Sequence, residues 1–102
     1  MDTSLLADLE RWYASQCNED WEHTYGVQIE TLDNPGWLVR IDLWETELAE
    51  RGIFEKRWRK NERDWGFIKI TDRHYEASCA QLKDALRYFI IFSRDLRIPA
   101  DE

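Results

Sequence analysis

The sequence predicts an α+β domain: an antiparallel meander sheet of four to five strands, flanked by an N-terminal and a C-terminal helix packed on one face. Three observations carry this expectation. Stripes at helical spacing occur at both ends of the chain, Leu5, Leu6, Leu9, Trp12, Tyr13 and Gln16 at one, Leu82, Ala85, Leu86, Phe89, Ile90 and Ser93 at the other. The chain between them alternates apolar and polar residues with the period of a strand. Clusters of turn-forming residues punctuate that alternation. At 102 residues a single domain spanning 1–102 is expected, large enough for one core without staples.

Each element has its own signal. The first helix is expected over residues 4–17, capped by Thr3 or Ser4 and ending near Cys17-Asn18. Residues 18–24 form a connector with three acids around Trp21. Residues 25–32 alternate, with Tyr25, Val27, Ile29 and Thr31 on one side and Gly26, Gln28, Glu30 and Leu32 on the other. Asp33-Asn34-Pro35-Gly36 predicts a type II turn, in which Pro35 fixes φ and Gly36 takes positive φ. The second strand, residues 37–44, turns Trp37, Val39, Ile41 and Leu43 inward and Leu38, Arg40, Asp42 and Trp44 outward. Residues 45–52 read as a polar connection ended by Gly52. A third strand at 53–60, a turn at 61–64, a fourth strand at 65–71 and a short fifth at 74–77 follow. Ser78-Cys79-Ala80-Gln81 has the pattern of a capping box for a helix over 79–96, which Pro99 stops before a frayed tail.

Composition narrows the function. The formal net charge of −7, from 21 acids against 14 bases, argues against nucleic acid and anionic membranes as partners, because phosphate binding needs a basic footprint. It suits a basic protein partner. No apolar run approaches the roughly 18 residues of a membrane span. The N-terminal residues lack the basic and apolar regions of a secretory leader, and two cysteines are too few for a disulfide scaffold. A cytoplasmic, reduced protein is expected. Six Trp, four Tyr and four Phe are a heavy aromatic load, enough to build the core and leave some rings at the surface.

No catalytic constellation emerges. Asp20, Glu22 and His23 lie together, but zinc needs three or four converging ligands, and the second histidine, His74, is far along the chain. A loop in which Asp20 caps a turn is the expectation there. Cys79 in the first turn of the last helix would have a lowered thiol pKa, yet the sequence around it supplies neither an Arg nor a loop of backbone N–H groups. A small buried apolar role is expected for Cys79, and for Cys17 as well. Trp12, Trp21, Trp37, Trp58 and Trp65 are expected in the core or packed on the sheet. Trp44 has two readings, a cross-strand surface aromatic or an interface anchor ringed by acids. The basic third strand, with Lys56, Arg57, Arg59 and Lys60, reads as half of an intramolecular salt-bridge ladder. No metal or other cofactor is expected.

The runs Leu9-Glu10-Arg11-Trp12-Tyr13, Cys17-Asn18-Glu19-Asp20-Trp21-Glu22-His23, Tyr25-Gly26-Val27 and Thr31-Leu32-Asp33-Asn34-Pro35-Gly36-Trp37 resemble the immunity protein 53 family. The resemblance is close over residues 9–43, weaker through the third and fourth strands, and returns in the Leu/Phe-rich C-terminal helix. It implies a small bacterial antidote, not an enzyme, that binds and neutralises a cognate toxin domain encoded beside it. Joined to the acid excess, it leads to the expectation of occlusion through an acidic and aromatic surface. The residues expected there are Asp20, Glu22, Glu30, Asp33, Asp42, Trp44, Glu45 and Glu47. The partner would be a toxin such as a basic nuclease, bound by a monomer or weak dimer. The alternative is a small hydrolase or sulfur-transfer enzyme using Cys79 or the Asp20/Glu22/His23 group.

Overall fold

The computed structural model describes residues 3–94. Helix α1 (Thr3–Gln16) leads into a four-residue helix α2 (Trp21–Thr24). Strands β1 (Val27–Leu32), β2 (Gly36–Asp42), β3 (Phe54–Asn61), β4 (Asp64–Ile70) and β5 (His74–Cys79) follow, and α3 (Leu82–Ser93) closes the order. All strand pairs are antiparallel. The α+β class and the two terminal helices are as the sequence predicts.

The strand order is β1-β2-β5-β4-β3, which departs from a simple meander. Two hairpins form locally, and β5 then inserts beside β2 instead of ending the sheet at an edge. Its register places Val39 opposite Ala77 and Ile41 opposite Tyr75, while β4 sets Ile68 and Ile70 against the same two residues. These six side chains share one face, and none is more than 2% exposed. Burying a Val or Ile side chain stabilises by about 1.5–3 kcal/mol, so this row, with four of them, is the core of the domain. Helix α3 lies across β2, β5 and β4, and α1 packs beside it. Tyr75, fully buried between sheet and helix, donates its hydroxyl to the Ala85 carbonyl at 2.7 Å.

Several local expectations are corrected. Strand β5 runs through Ser78 and Cys79 to the residue before Ala80, so the capping box does not form; Gln81 occupies the N-cap position without a side-chain cap. The alternation Tyr75, Ala77, Cys79 continues the buried face and outweighs the helix-start signal. Gly36 lies in β2 paired with Leu32 and does not take positive φ. Its need for glycine is steric, since a Cβ would come within 2.9 Å of the Cys79 carbonyl oxygen and the Trp65 ring. Thr3 and Ser4 both lie within α1, so neither takes the expected N-cap position. The buried stripe of α1 narrows to Leu5, Leu9 and Trp12, leaving Leu6 and Tyr13 exposed. Cys17, past the end of that helix, is exposed rather than core. Residues 45–52 form a run of turns, and they are not wholly polar in role: Leu48 is fully buried. The last helix ends at Ser93 with Arg94 at its C-cap, short of the expected residue 96, and the expected tail falls on residues 95–102, outside the described residues.

Gly66 sits across from Trp58, whose indole lies over it. An ideal Cβ on Gly66 would fall 2.2 Å from the Trp58 ring. Gly66→Ala should therefore destabilise the fold by about 1–3 kcal/mol, the usual cost of overpacking, seen as a lower urea midpoint with unchanged slope.

Candidate functional site

The connector, the end of β2 and the turns after it meet at one end of the sheet. Asn18 begins the assembly. Its Oδ1 accepts the backbone N–H groups of Asp20 and Trp21 at 3.0 and 2.9 Å, capping α2 as an Asx side chain does. Asp20 holds the N-cap position but makes no side-chain cap, so the expected capping by Asp20 passes to Asn18. The Glu22 carboxylate turns back to accept the N–H groups of Asn18 and Glu19 at 2.9 and 2.8 Å. Hydrogen bonding to its own backbone N–H and to those two holds its pKa below the usual range. Glu19 meets this geometry with φ at +79°.

Trp21 anchors the connector. It is buried against Trp12 and Tyr13, whose ring centroids lie 6.0 Å away, and its Nε1 donates to the Trp44 carbonyl at 2.7 Å. Gly26 and Asp42 are joined twice: the Asp42 N–H donates to the Gly26 carbonyl and the Gly26 N–H donates to the Asp42 carboxylate, both at 3.0 Å. The other Asp42 oxygen lies 3.3 Å from His74 Nε2. Trp44 is half-buried, stacked on Tyr25 at 6.2 Å with the Arg73 guanidinium 4.2 Å from its ring centroid. Glu47 reaches α1, where its carboxylate accepts Trp12 Nε1 at 2.8 Å and Gln16 Nε2 at 2.9 Å.

Five of the eight expected residues, Asp20, Glu22, Trp44, Glu45 and Glu47, thus belong to segments pinned together at this end, with Asp42 adjoining them. Asp20 and Glu45 are exposed, Glu45 with φ at +58°. Glu30 and Asp33 lie elsewhere. Glu30 shares the helix-free face with Asp42 but stands beyond Arg40, which pairs with Glu76 at 2.8 Å. The Glu76 carboxylate, and then Asp42 and Glu30, raise the Arg40 pKa above its ordinary value. Asp33 is at the far tip of the β1–β2 hairpin, about 20 Å along the strand from Gly26. Tyr25, Arg73 and His74 were not anticipated at the site. Two of them arrive with the β4–β5 turn, and nothing local in the sequence signals that neighbour.

The Glu22 carboxylate is occupied by backbone N–H groups, and His23 is exposed. Among the described residues no three His, Cys, Asp or Glu side chains converge to hold a metal. Cys79 is fully buried in β5, and burial, with the nearby Asp84 carboxylate, pushes its thiol up to about 12. It is protonated at neutral pH, the opposite of an activated nucleophile.

These features describe a small α+β domain with carboxylates and a clamped aromatic at one end of its sheet. The chain belongs to the immunity protein 53 family, whose model matches residues 6–93. That span takes in all five strands, α3 and most of α1. No curated protein and no solved structure matches the chain.

Burial works to raise the Glu47 pKa, but hydrogen bonds from Trp12, from its own backbone N–H and from Gln16 outweigh it, and the carboxyl is held below its usual range. A carboxyl lowered on folding adds stability above its unfolded pKa of about 4.3. That stability is lost as pH falls through the lower folded value. Wild type should therefore exceed Glu47→Gln in urea midpoint at pH 7, and the gap should narrow as the pH falls below about 4. An unchanged gap would mean that the charge on Glu47 contributes nothing.

Proposed function

We propose that this protein is a bacterial immunity protein that binds a cognate toxin domain and neutralises it by occlusion, without turnover and without a cofactor. Family membership over residues 6–93 carries the proposal. The acid excess and the end of the sheet built from the connector, Asp42, Trp44, Glu45 and Glu47 support an acidic and aromatic contact surface. Trp44, immobilised between Tyr25 and Arg73, loses little side-chain freedom on binding, which favours an anchor. Exposed carboxylates around it steer a basic partner, such as a nuclease, and repel acidic ones. A toxin that binds phosphate presents the complementary basic groove. The protein would act in the cytoplasm as a monomer or weak dimer.

Asp42 is a poor test of this surface, since its carboxylate also holds Gly26. The exposed pair Asp20 and Glu45 is better. Asp20→Lys with Glu45→Lys should weaken toxin binding several-fold, and more at low salt than at high salt. Asp33→Lys, at the far hairpin tip, serves as the control and should change affinity little. Equal affinity for wild type and the double variant, measured by calorimetry at two salt concentrations, would remove this end of the sheet from the proposal.

A further inference from the structure

A second charged region lies on the opposite side of the molecule. Strand β3 is an edge of the sheet, hydrogen-bonded only to β4 among the described residues. Between this edge and the start of α3 runs a groove of about 550 Å³. Lys56, which is buried, Lys60, Lys83 and Arg87 line it, and Arg57 and Arg59 border it on the edge strand. Its two carboxylates are engaged within the protein. Asp64 accepts Trp58 Nε1 at 3.0 Å, and Asp84 lies 3.7 Å from Arg87. In a chain of net charge −7, six cations against two carboxylates make this edge locally basic.

The cations are distributed on both sides of the edge. The register puts Lys56 opposite Ile68, on the face the helices cover, and there Lys83 and Arg87 approach from α3. Arg57 and Arg59 fall opposite Phe67 and Trp65, on the other face. Arg57 confirms this by lying over the Phe67 ring, 4.6 Å from its centroid. A rigid anionic surface, such as a nucleic acid backbone, meets one side of such an edge. A polypeptide added as a further strand meets both, because its side chains alternate between the two faces. The outward N–H and C=O groups of β3 would supply its main-chain hydrogen bonds.

We propose that the edge of β3 and the groove beside it bind an acidic, extended segment of a partner protein as a sixth strand. Carboxylates on one side of that segment pair with Arg59, and those on the other with Lys83. The same cations repel a second copy of this edge, which keeps the chain from pairing with itself there. This region is separate from the acidic end of the sheet, and the proposal stands whether or not the toxin docks at that end.

The test uses the whole protein and a synthetic peptide of about ten residues alternating Glu with Thr. At low salt the peptide should bind and shift the backbone amide signals of residues 54–61 and 83–88. The double variant Arg59→Glu with Lys83→Glu should weaken binding at least about tenfold, with an unchanged melting temperature showing that the fold is intact. N-methylation of alternate peptide nitrogens, chosen to remove the donors facing β3, should abolish binding. No binding at low salt, equal affinity for the variant, or full binding by the N-methylated peptide would overturn the proposal. So would tighter binding of a ten-nucleotide oligothymidylate, which would identify the region as a phosphate-binding surface.

Discussion

The pairing of β2 with β5 is the contact on which the rest of the structure depends. Each hairpin can form from neighbouring sequence, but a two-stranded hairpin is marginal in water. Joining β1–β2 to β5–β4–β3 creates a face wide enough for α3 to cover. The register of that single junction, Val39 to Ala77 and Ile41 to Tyr75, sends every core residue of both halves to the same side. A slip of one residue would turn one half inside out. Tyr75 fixes the layer above by its hydroxyl bond to Ala85. The same register brings His74 beside Asp42 and Arg73 over Trp44, so the candidate site is a product of the sheet's closure.

Much of the fold was legible because strand and helix periods leave marks at single positions. Alternation alone places Val39 and Ile41 on the buried face, and helical spacing places Ala85, Leu86, Phe89 and Ile90 on the covering helix, where all six are buried. Strand order left no such mark. An apolar strand facing a core looks the same whether its neighbour is local or comes from forty residues away. Where two local signals competed, the tertiary one prevailed: Ser78 and Gln81 resemble a helix start, yet Cys79 is needed under α3 at the end of β5. Gly36 shows a related limit. A turn motif explained it well from sequence, whereas its cause is the crowding of Cys79 and Trp65, two residues remote in the chain.

The candidate site was legible in part. Asp20, Glu22, Glu45 and Glu47 stand out as acids near tryptophans, and the fold gathers their segments. What the sequence could not separate is the acid that only faces solvent from the acid whose carboxylate holds other parts of the chain. Glu22 and Glu47 are spent largely on N–H groups of Asn18, Glu19, Trp12 and Gln16. Asp20 and Glu45 are exposed. Net charge conceals a second division. Acids collect around the connector and the turn after β2, while bases collect along β3 and the start of α3. A chain that is acidic on average thus offers surfaces of both signs, at opposite sides of one small sheet.

The most direct test of the account is amide hydrogen exchange of the protein alone and bound to its cognate toxin domain. Occlusion through the acidic end predicts that the complex protects residues 18–26 and 42–50 and leaves the hairpin tip at 33–35 unchanged. Protection confined to the hairpin tip or to the edge strand, with 18–26 and 42–50 exchanging as in the free protein, would contradict it.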